Sequence, residues 1–488
     1  MQKNTPQNRP EDSVLALVVI LIWALVVTNA GVARADEPPA DGTLDRSRSP
    51  ANLQPAPEKR DAEIPGPTSR WPQLVGAQYT WIRQFQSSLN SPYSGPNSLN
   101  PDGDVGATHT VGLYFGWAMT NDLQAYFDVE KFMGDGVSNA VGLGGLTDGD
   151  VVRQGSAGLK KRPYVARSYL RYMAPLSDEV TEIERGQDQI PGNEATTRFD
   201  FKAGTMAVTD DFDKNRYANS TRNQFMNWAL WNNGAWDFAA DTRGYTKGVY
   251  AAFVSPRWSL RVGVYQMPTL ANGQNLDAPL SKARGENLEL DFAPNDRGTI
   301  VRLLAYRNVA RMGIYRDALA AAAATGTAPD IVAQDAEGRK KTGWGVNVEQ
   351  PITDGGETGI FMRAGWNDGK TETFAFTEID RTFTVGGQLA GNHWGRENDR
   401  FGAAIALNGL SADHHDYLAA GGAGFLLGDG KISYAPEQIF ETYYRIQVGK
   451  YQGVSVQLTP DFQYIRNPAF NSDRGPVQVA SFRFHVEY

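Results

Sequence analysis

From Trp71 on, the dominant pattern is apolar side chains recurring at every second position, the repeat of a strand that turns one face to an apolar medium. Val111, Leu113, Phe115, Trp117 and Met119 share one face, and Gly112, Tyr114, Gly116 and Ala118 the other. A short turn, Thr120-Asn121-Asp122, follows. Leu123, Ala125, Phe127 and Val129 then oppose Gln124, Tyr126, Asp128 and Glu130, which predicts a β-hairpin. The pattern returns in Phe199, Phe201 and Ala203 against Asp200, Lys202 and Gly204. It returns again in Thr342–Val348, Ile360–Trp366, Phe440–Val448 and Val454–Leu458, with Asn347, Glu349, Arg363, Glu441, Arg445 and Gln457 on the opposing faces.

The second faces set the class. A water-soluble sandwich turns Lys, Glu and Thr to bulk solvent. Here Gly, Tyr, Asn, Gln and isolated charges mix, a composition suited to a water-filled lumen, with the apolar faces turned to lipid. Periodicity alone leaves a secreted β-sandwich or propeller open. The chain end narrows the choice: Tyr488, Val486, Phe484 and Phe482 share one face, with Glu487, His485 and Arg483 on the other. A terminal aromatic above alternating apolar positions is the form of an outer-membrane barrel's last strand, which the barrel-assembly machinery reads. The 418 residues from 71 to 488, at roughly 26 per strand and connection, predict an all-β fold: a transmembrane antiparallel β-barrel of about sixteen strands, of the outer-membrane porin type. Segments 133–163, 208–244 and 308–340 read as long loops or folded-in inserts, and 318–327 as a short external helix.

Composition agrees once the two faces are separated. The mean hydropathy of −0.43 averages apolar and polar faces of the same strands. Among 488 residues, 51 Gly and 53 aromatics suit tight turns and strands, and the absence of cysteine excludes disulfides and thiolate metal sites. A net charge of −8 argues against general nucleic-acid binding.

The first seventy residues differ. Val14 to Val27 is an unbroken apolar run behind Lys3 and Arg9, and Ala33-Arg34-Ala35 offers small residues to a signal peptidase. The run reaches only about 21 Å as a helix, short of a bilayer core of about 30 Å. Residues 1–35 therefore read as a secretory signal cleaved before Asp36 rather than an anchor. Residues 36–70, rich in proline and mixed charge, read as a flexible periplasmic linker, and 71–488 as the barrel.

An ordered set of segments resembles the carbohydrate-selective porin (OprB) family. It begins with Ser91-Pro92-Tyr93-Ser94-Gly95 and Asn97-Ser98-Leu99. Asp211-Phe212-Asp213, Tyr217-Ala218-Asn219, Gln224 to Leu230, Asn233-Gly234-Ala235-Trp236-Asp237 and Ala240 to Tyr245 make a middle block. Trp394-Gly395-Arg396, Asn408 to Ser411, Gly428-Asp429-Gly430 and Glu441 to Tyr444 follow. Gln463-Tyr464-Ile465, Asn467-Pro468, Asn471, Arg474 to Val477 and the closing His485, Glu487 and Tyr488 complete it. The resemblance implies a sixteen-stranded barrel in the outer membrane of a Gram-negative bacterium that passes monosaccharides such as glucose by diffusion. Tyr488 stands where the family usually ends in Phe, and the helix at 318–327 has no counterpart we can place.

A sugar is neutral, flat on its apolar faces and ringed by hydroxyls. A selective constriction needs aromatic faces and polar groups, and it needs weak binding so that the solute leaves. Segment 211–245 holds Trp228, Trp231 and Trp236 with Asn227, Asn232, Asn233, Asp237 and Arg243. We expect it to fold into the barrel and narrow it, its tryptophans either contacting sugar or packing the loop on the wall. Alternation turns Arg167, Arg171, Asp128, Glu130, Arg363, Glu441 and Arg445 inward, with Ala166 and Leu170 outward, because an arginine facing mid-bilayer lipid costs about 2–4 kcal/mol. These charges suit either a sugar-contacting ladder or wall-to-wall salt bridges.

Other chemistry finds little support. His414-His415-Asp416 reads as an external loop without further metal ligands. Asp210-Asp211-Phe212-Asp213 lacks the calcium-loop spacing, and Gly422-Ala423-Gly424 lacks a strand–helix setting for phosphate. No nucleophile–base set stands out, so the chain reads as no enzyme and as needing no cofactor. Expected partners are monosaccharides, outer-membrane lipid and lipopolysaccharide and the assembly machinery, with no nucleic acid; a monomer and a homotrimer both stay open, because outward aromatic faces suit lipid and a neighbouring barrel equally. The alternatives are a porin for another small polar or anionic solute and, in a different class, a secreted β-rich carbohydrate-binding protein.

Overall fold

A computed structural model describes residues 71–151 and 162–488; the signal and linker readings lie outside the described residues. Sixteen antiparallel strands close into one barrel. They are β1 (Leu74–Gln86), β2 (Asp104–Ala118), β3 (Leu123–Asp135), β4 (Tyr164–Pro175), β7 (Arg198–Met206), β8 (Thr246–Val254), β9 (Trp258–Tyr265) and β10 (Arg284–Phe292), then β11 (Ile300–Met312), β12 (Ala336–Thr353), β13 (Thr358–Asn367), β14 (Arg381–Ala390), β15 (Arg400–Gly409), β16 (Glu437–Tyr451), β17 (Val454–Arg466) and β18 (Val477–Glu487). Two short strands, β5 (Val180–Ile183) and β6 (Gly192–Ala195), form a separate hairpin. Each wall strand pairs with its sequence neighbours on either side, and β1 meets β18 from Gln78↔Glu487 to Gln86↔Val479, which leaves no open edge.

The two faces divide as the period predicts. Along β2 and β3, Thr108, Thr110, Gly112, Tyr114, Gln124, Tyr126, Asp128 and Glu130 point inward and are buried, while Val105 and Phe127 are exposed on the outer wall. Phe199, Leu303, Trp344, Ile360, Ile405 and Phe440 continue that apolar band. One expectation fails: Ala166 is fully buried rather than outward. The pairing of β3 with β4 slips between Asp128 and Val129, so Asp128 faces Arg167 while Val129 faces Val165. A bulge adds one residue, which swaps Val165 to the outside and leaves Arg167 and Arg171 inside.

Inward glycines do more than leave water space. Tyr306 lies across Gly343 and Tyr443 across Gly402, each so close that a β-carbon would collide with the ring. The phenol thereby covers bare backbone on the next strand.

The connections separate by end. At the end bearing both termini most are short, from two to nine residues; at the other they are long. In outer-membrane barrels the short turns face the periplasm. The long end is interlocked by residues from distant segments: Asn97 Nδ2 donates to Gly424 O at 2.7 Å, Asn471 Nδ2 to Asp429 Oδ2 at 3.0 Å, and Arg474 Nη2 to Leu99 O at 2.8 Å. A helix forms there at Tyr315–Thr325, stopped by Gly326 in the left-handed region. The His414-His415-Asp416 stretch is helical rather than loop, within Ala412–Ala419. The His414 ring stacks on Tyr315 at 4.5 Å and contacts Asp380 at 3.1 Å. No helix among the described residues is long and apolar enough to cross a membrane.

Candidate functional site: an insert that narrows the lumen

Residues 207–245, between β7 and β8, leave the wall and fill the lumen. Inward side chains from strands all around the barrel hold the insert by its backbone. Glu289 on β10 accepts from Asp213 N at 2.8 Å, and Glu349 on β12 from Arg216 N at 2.8 Å. On β13, Arg363 donates to the carbonyls of Asp213 (3.1 Å), Ala218 (2.7 Å) and Leu230 (3.1 Å), and pairs with the Asp213 carboxylate at 3.0 Å. Glu441 accepts from Met226 N and Asn227 N at 2.5 and 3.0 Å. Arg483 donates to Thr221 O and Gln224 O at 2.6 and 2.8 Å. Each pairing supplies buried backbone groups with partners that a lumenal loop would otherwise lack.

Within the insert, Asn227 accepts from Ala229 N and caps the single helical turn Trp228–Trp231. That turn presents two indoles to a cavity of about 260 Å³. Trp228 stacks on Phe376 with centroids 5.6 Å apart and planes 7° apart, and Trp231 meets the same ring edge-on at 5.3 Å. Both indole N–H groups are buried and meet no acceptor among the described residues. Across the cavity stand Arg167, Arg222 and Arg243 with Asp210 and Asp241. Arg222 pairs with Asp150 at 3.1 Å and Glu130 at 3.2 Å, and Glu130 also accepts from the hydroxyls of Tyr114 and Tyr245. Arg167 pairs with Asp210 at 2.7 Å and Asp128 at 3.3 Å. Arg243 lies over the Tyr164 ring at 4.7 Å. Burial alone would raise the Asp210 carboxyl, but Arg167 outweighs it and holds Asp210 below the usual carboxylate range. Burial lowers the Lys214 ammonium, with Asp210 and Asp211 opposing.

The residues singled out in the sequence therefore part company. Trp228, Trp231, Arg243 and Arg167 line this cavity. Arg171 lines a second one beside it. Trp236 is fully buried against Phe212 and Phe238 and donates to Asn287 at 3.0 Å. Asp237 is buried too, accepting from Phe374 N and Ala375 N and pairing with Lys341 at 3.4 Å. Asn227, Arg363 and Glu441 sit in the anchorage just described, and Arg445 donates to Asn223 O at 3.3 Å. Asp128 and Glu130 stand behind the arginines. The acidic run Asp210–Asp213 is dispersed: Asp210 goes to Arg167, Asp211 to Lys202 at 2.6 Å and Asp213 to Arg363. Among the described residues no group of three or more His, Asp or Glu is placed to hold a metal ion.

Two cavity residues carry no strand-period signal and escape a reading by alternation, Arg222 inside the insert and Phe376 in the 368–380 loop. Phe376 adopts φ +77°, rare for a bulky side chain, which turns its ring under both indoles.

Likeness to known proteins follows this geometry. A high-pH structure of OprB from Pseudomonas putida superposes with a TM-score of 0.61 at 16% identity, covering 85% of this chain and 94% of that one. OmpTΔL8, a loop-deletion mutant of an outer-membrane protein of Vibrio cholerae, gives 0.42 at 10% identity, covering 85% and 99%. No curated protein sequence matches the chain. The family model described as "Carbohydrate-selective porin, OprB family" matches residues 103–488, nearly the whole barrel. The chain belongs to the OprB family of carbohydrate-selective porins.

Proposed function

We propose that the protein admits monosaccharides such as glucose into the periplasm by passive diffusion, and that the cavity beside Trp228 and Trp231 is where the solute is selected. The observation that carries this reading is a three-ring aromatic platform facing guanidinium and carboxylate groups across about 260 Å³. A pyranose can lay its C–H face on the rings while its hydroxyls meet Arg167, Arg222, Arg243, Asp210 and Asp241. Arg167, Arg222, Arg243, Asp210 and Asp241 each pair with another side chain, so a passing hydroxyl exchanges one hydrogen bond for another and the solute is held weakly, as diffusion requires. Residues 1–35 act as the export signal and 36–70 as a spacer.

The test is current block by glucose in planar bilayers. Trp228→Ala and Trp231→Ala weaken the block, whereas Trp236→Phe, away from the cavity, keeps it. Unchanged block in both alanine variants would refute the site. Block by anionic solutes but none by glucose would favour a porin for another solute.

A further inference from the structure

The connection from β4 to β7 is out of scale for its end of the barrel. The other turns there span two to nine residues; this one spans 22, residues 176–197, and carries β5 and β6. It also folds inward. The Ile190 side chain occupies the space where a β-carbon on Gly116 would lie 2.8 Å away, and Gln187 O comes within 2.9 Å of one on Gly76. Those lumen-facing glycines, near the turn end of β2 and β1, admit the hairpin to the mouth. Arg185 donates to Val75 O at 2.6 Å and its guanidinium lies 5.1 Å over the Tyr488 ring.

The hairpin is strongly acidic. Asp178, Glu179, Glu182, Glu184, Asp188 and Glu194 stand against Arg185, a net of −5 from six acids and one base. Two of these carboxylates meet wall arginines. Asp188, at the tip, lies 3.4 Å from Arg167. Glu194 pairs with Arg171 and Arg198, both at 2.6 Å. The five steps along β3 from Leu123 to Asp128, the partner of Arg167, correspond to roughly 16 Å at about 3.3 Å per residue, so the tip reaches well inside the barrel. Beside it lies the second cavity, of about 250 Å³, which shares Arg167, Gln187, Asp210 and Lys214 with the first. A solute leaving the first cavity thus passes Arg167 between Asp210 of the outer insert and Asp188 of the hairpin.

We propose that hairpin 176–197 is a second constriction at the periplasmic mouth, and that Asp188 and Glu194 set its ion selectivity by offsetting Arg167, Arg171 and Arg198. Neutral solutes meet only its size. Small anions, which the wall arginines would otherwise draw through, meet an acidic exit. This rests on the protein's being a pore and not on which solute it carries.

Planar-bilayer recording across a salt gradient at about pH 8 tests it. Replacing residues 178–195 by a short glycine turn raises the single-channel conductance and shifts the reversal potential towards chloride. Asp188→Asn with Glu194→Gln gives the anion shift with the hairpin in place. The chain has no cysteine, so Asp188→Cys offers one thiol to an anionic methanethiosulfonate; its modification lowers the conductance. That third arm decides the matter if the shortened barrel fails to fold. Working wild-type channels with conductance and selectivity unmoved by the substitutions and by thiol modification would overturn the proposal. A wild-type protein that forms no channels would instead overturn the pore reading beneath it.

Discussion

Replacing Arg363 by methionine tests whether the lumen's charges hold the insert or serve the solute. The guanidinium is fully buried on β13 and makes four contacts to the insert: Nε to the Asp213 carboxylate, Nη1 to Leu230 O, and Nη2 to Asp213 O and Ala218 O. Methionine keeps much of the length and volume but none of the donors. Three carbonyls and a buried carboxylate lose this partner, although Asp213 keeps Asn347 Nδ2 at 2.7 Å and Asn233 N at 2.8 Å. Breaking one side of a buried ion pair costs about 3–5 kcal/mol. At about 1.4 kcal/mol per tenfold, the docking equilibrium of the insert falls by between about a hundred- and a few-thousand-fold. The wall's own strand ladder is untouched, so the barrel still folds. We expect a native-like heat-modifiable band, new trypsin cleavage within 207–245, and a noisier, larger conductance that blocks less with glucose. The second substitution Asp213→Asn, made on this background, removes the stranded carboxylate and recovers part of the loss. Protease resistance, conductance and block identical to wild type would refute the anchoring argument and return Arg363 to the solute path.

Two further outcomes follow from named residues. Burial pushes the Asp188 carboxyl up to about 7 despite Arg167 beside it, with Asp210, Lys202, Glu130 and Asp128 also near. As the pH falls through that value the carboxyl gains a proton and the exit loses a negative charge, so anion selectivity rises below about pH 7; in Asp188→Asn the step disappears, which reversal potentials at several pH values will show. On β11, Leu303 faces outward beside inward Arg302, which pairs with Glu349 at 3.1 Å. Leu303→Arg lowers barrel stability by about 2–4 kcal/mol in urea unfolding from vesicles, while Leu303→Phe leaves it nearly unchanged.

Strand direction was legible because a period of two has only two readings and lipid permits one of them. Arg167, Arg171, Asp128, Glu130, Arg363 and Glu441 all point inward as alternation requires. Their partners were not legible, since alternation carries no information on what lies across the lumen. Ala166 went astray at a bulge, where one added residue changes the parity of every position behind it. In the insert the period is absent, so Trp228 and Trp231 could not be told from Trp236: tertiary packing alone sends two indoles to the cavity and one to the interior. Hairpin 176–197 left a trace that a search for apolar alternation passes over, six carboxylates within one short segment.

The way the wall grips the insert also dictates an order of assembly. Arg483, on the last strand, holds Thr221 and Gln224 across 262 and 259 residues of chain. Glu441, on β16, reaches Met226 and Asn227 across 215 and 214. Such distant contacts come late, after the loop-closure entropy of the intervening chain has been met. The lumen therefore reaches its final bore only once β16 and β18 are there to hold the insert. The residues that close the bore thus come from both the middle of the chain and its last strands, so the wall must be nearly whole before the insert is fully anchored.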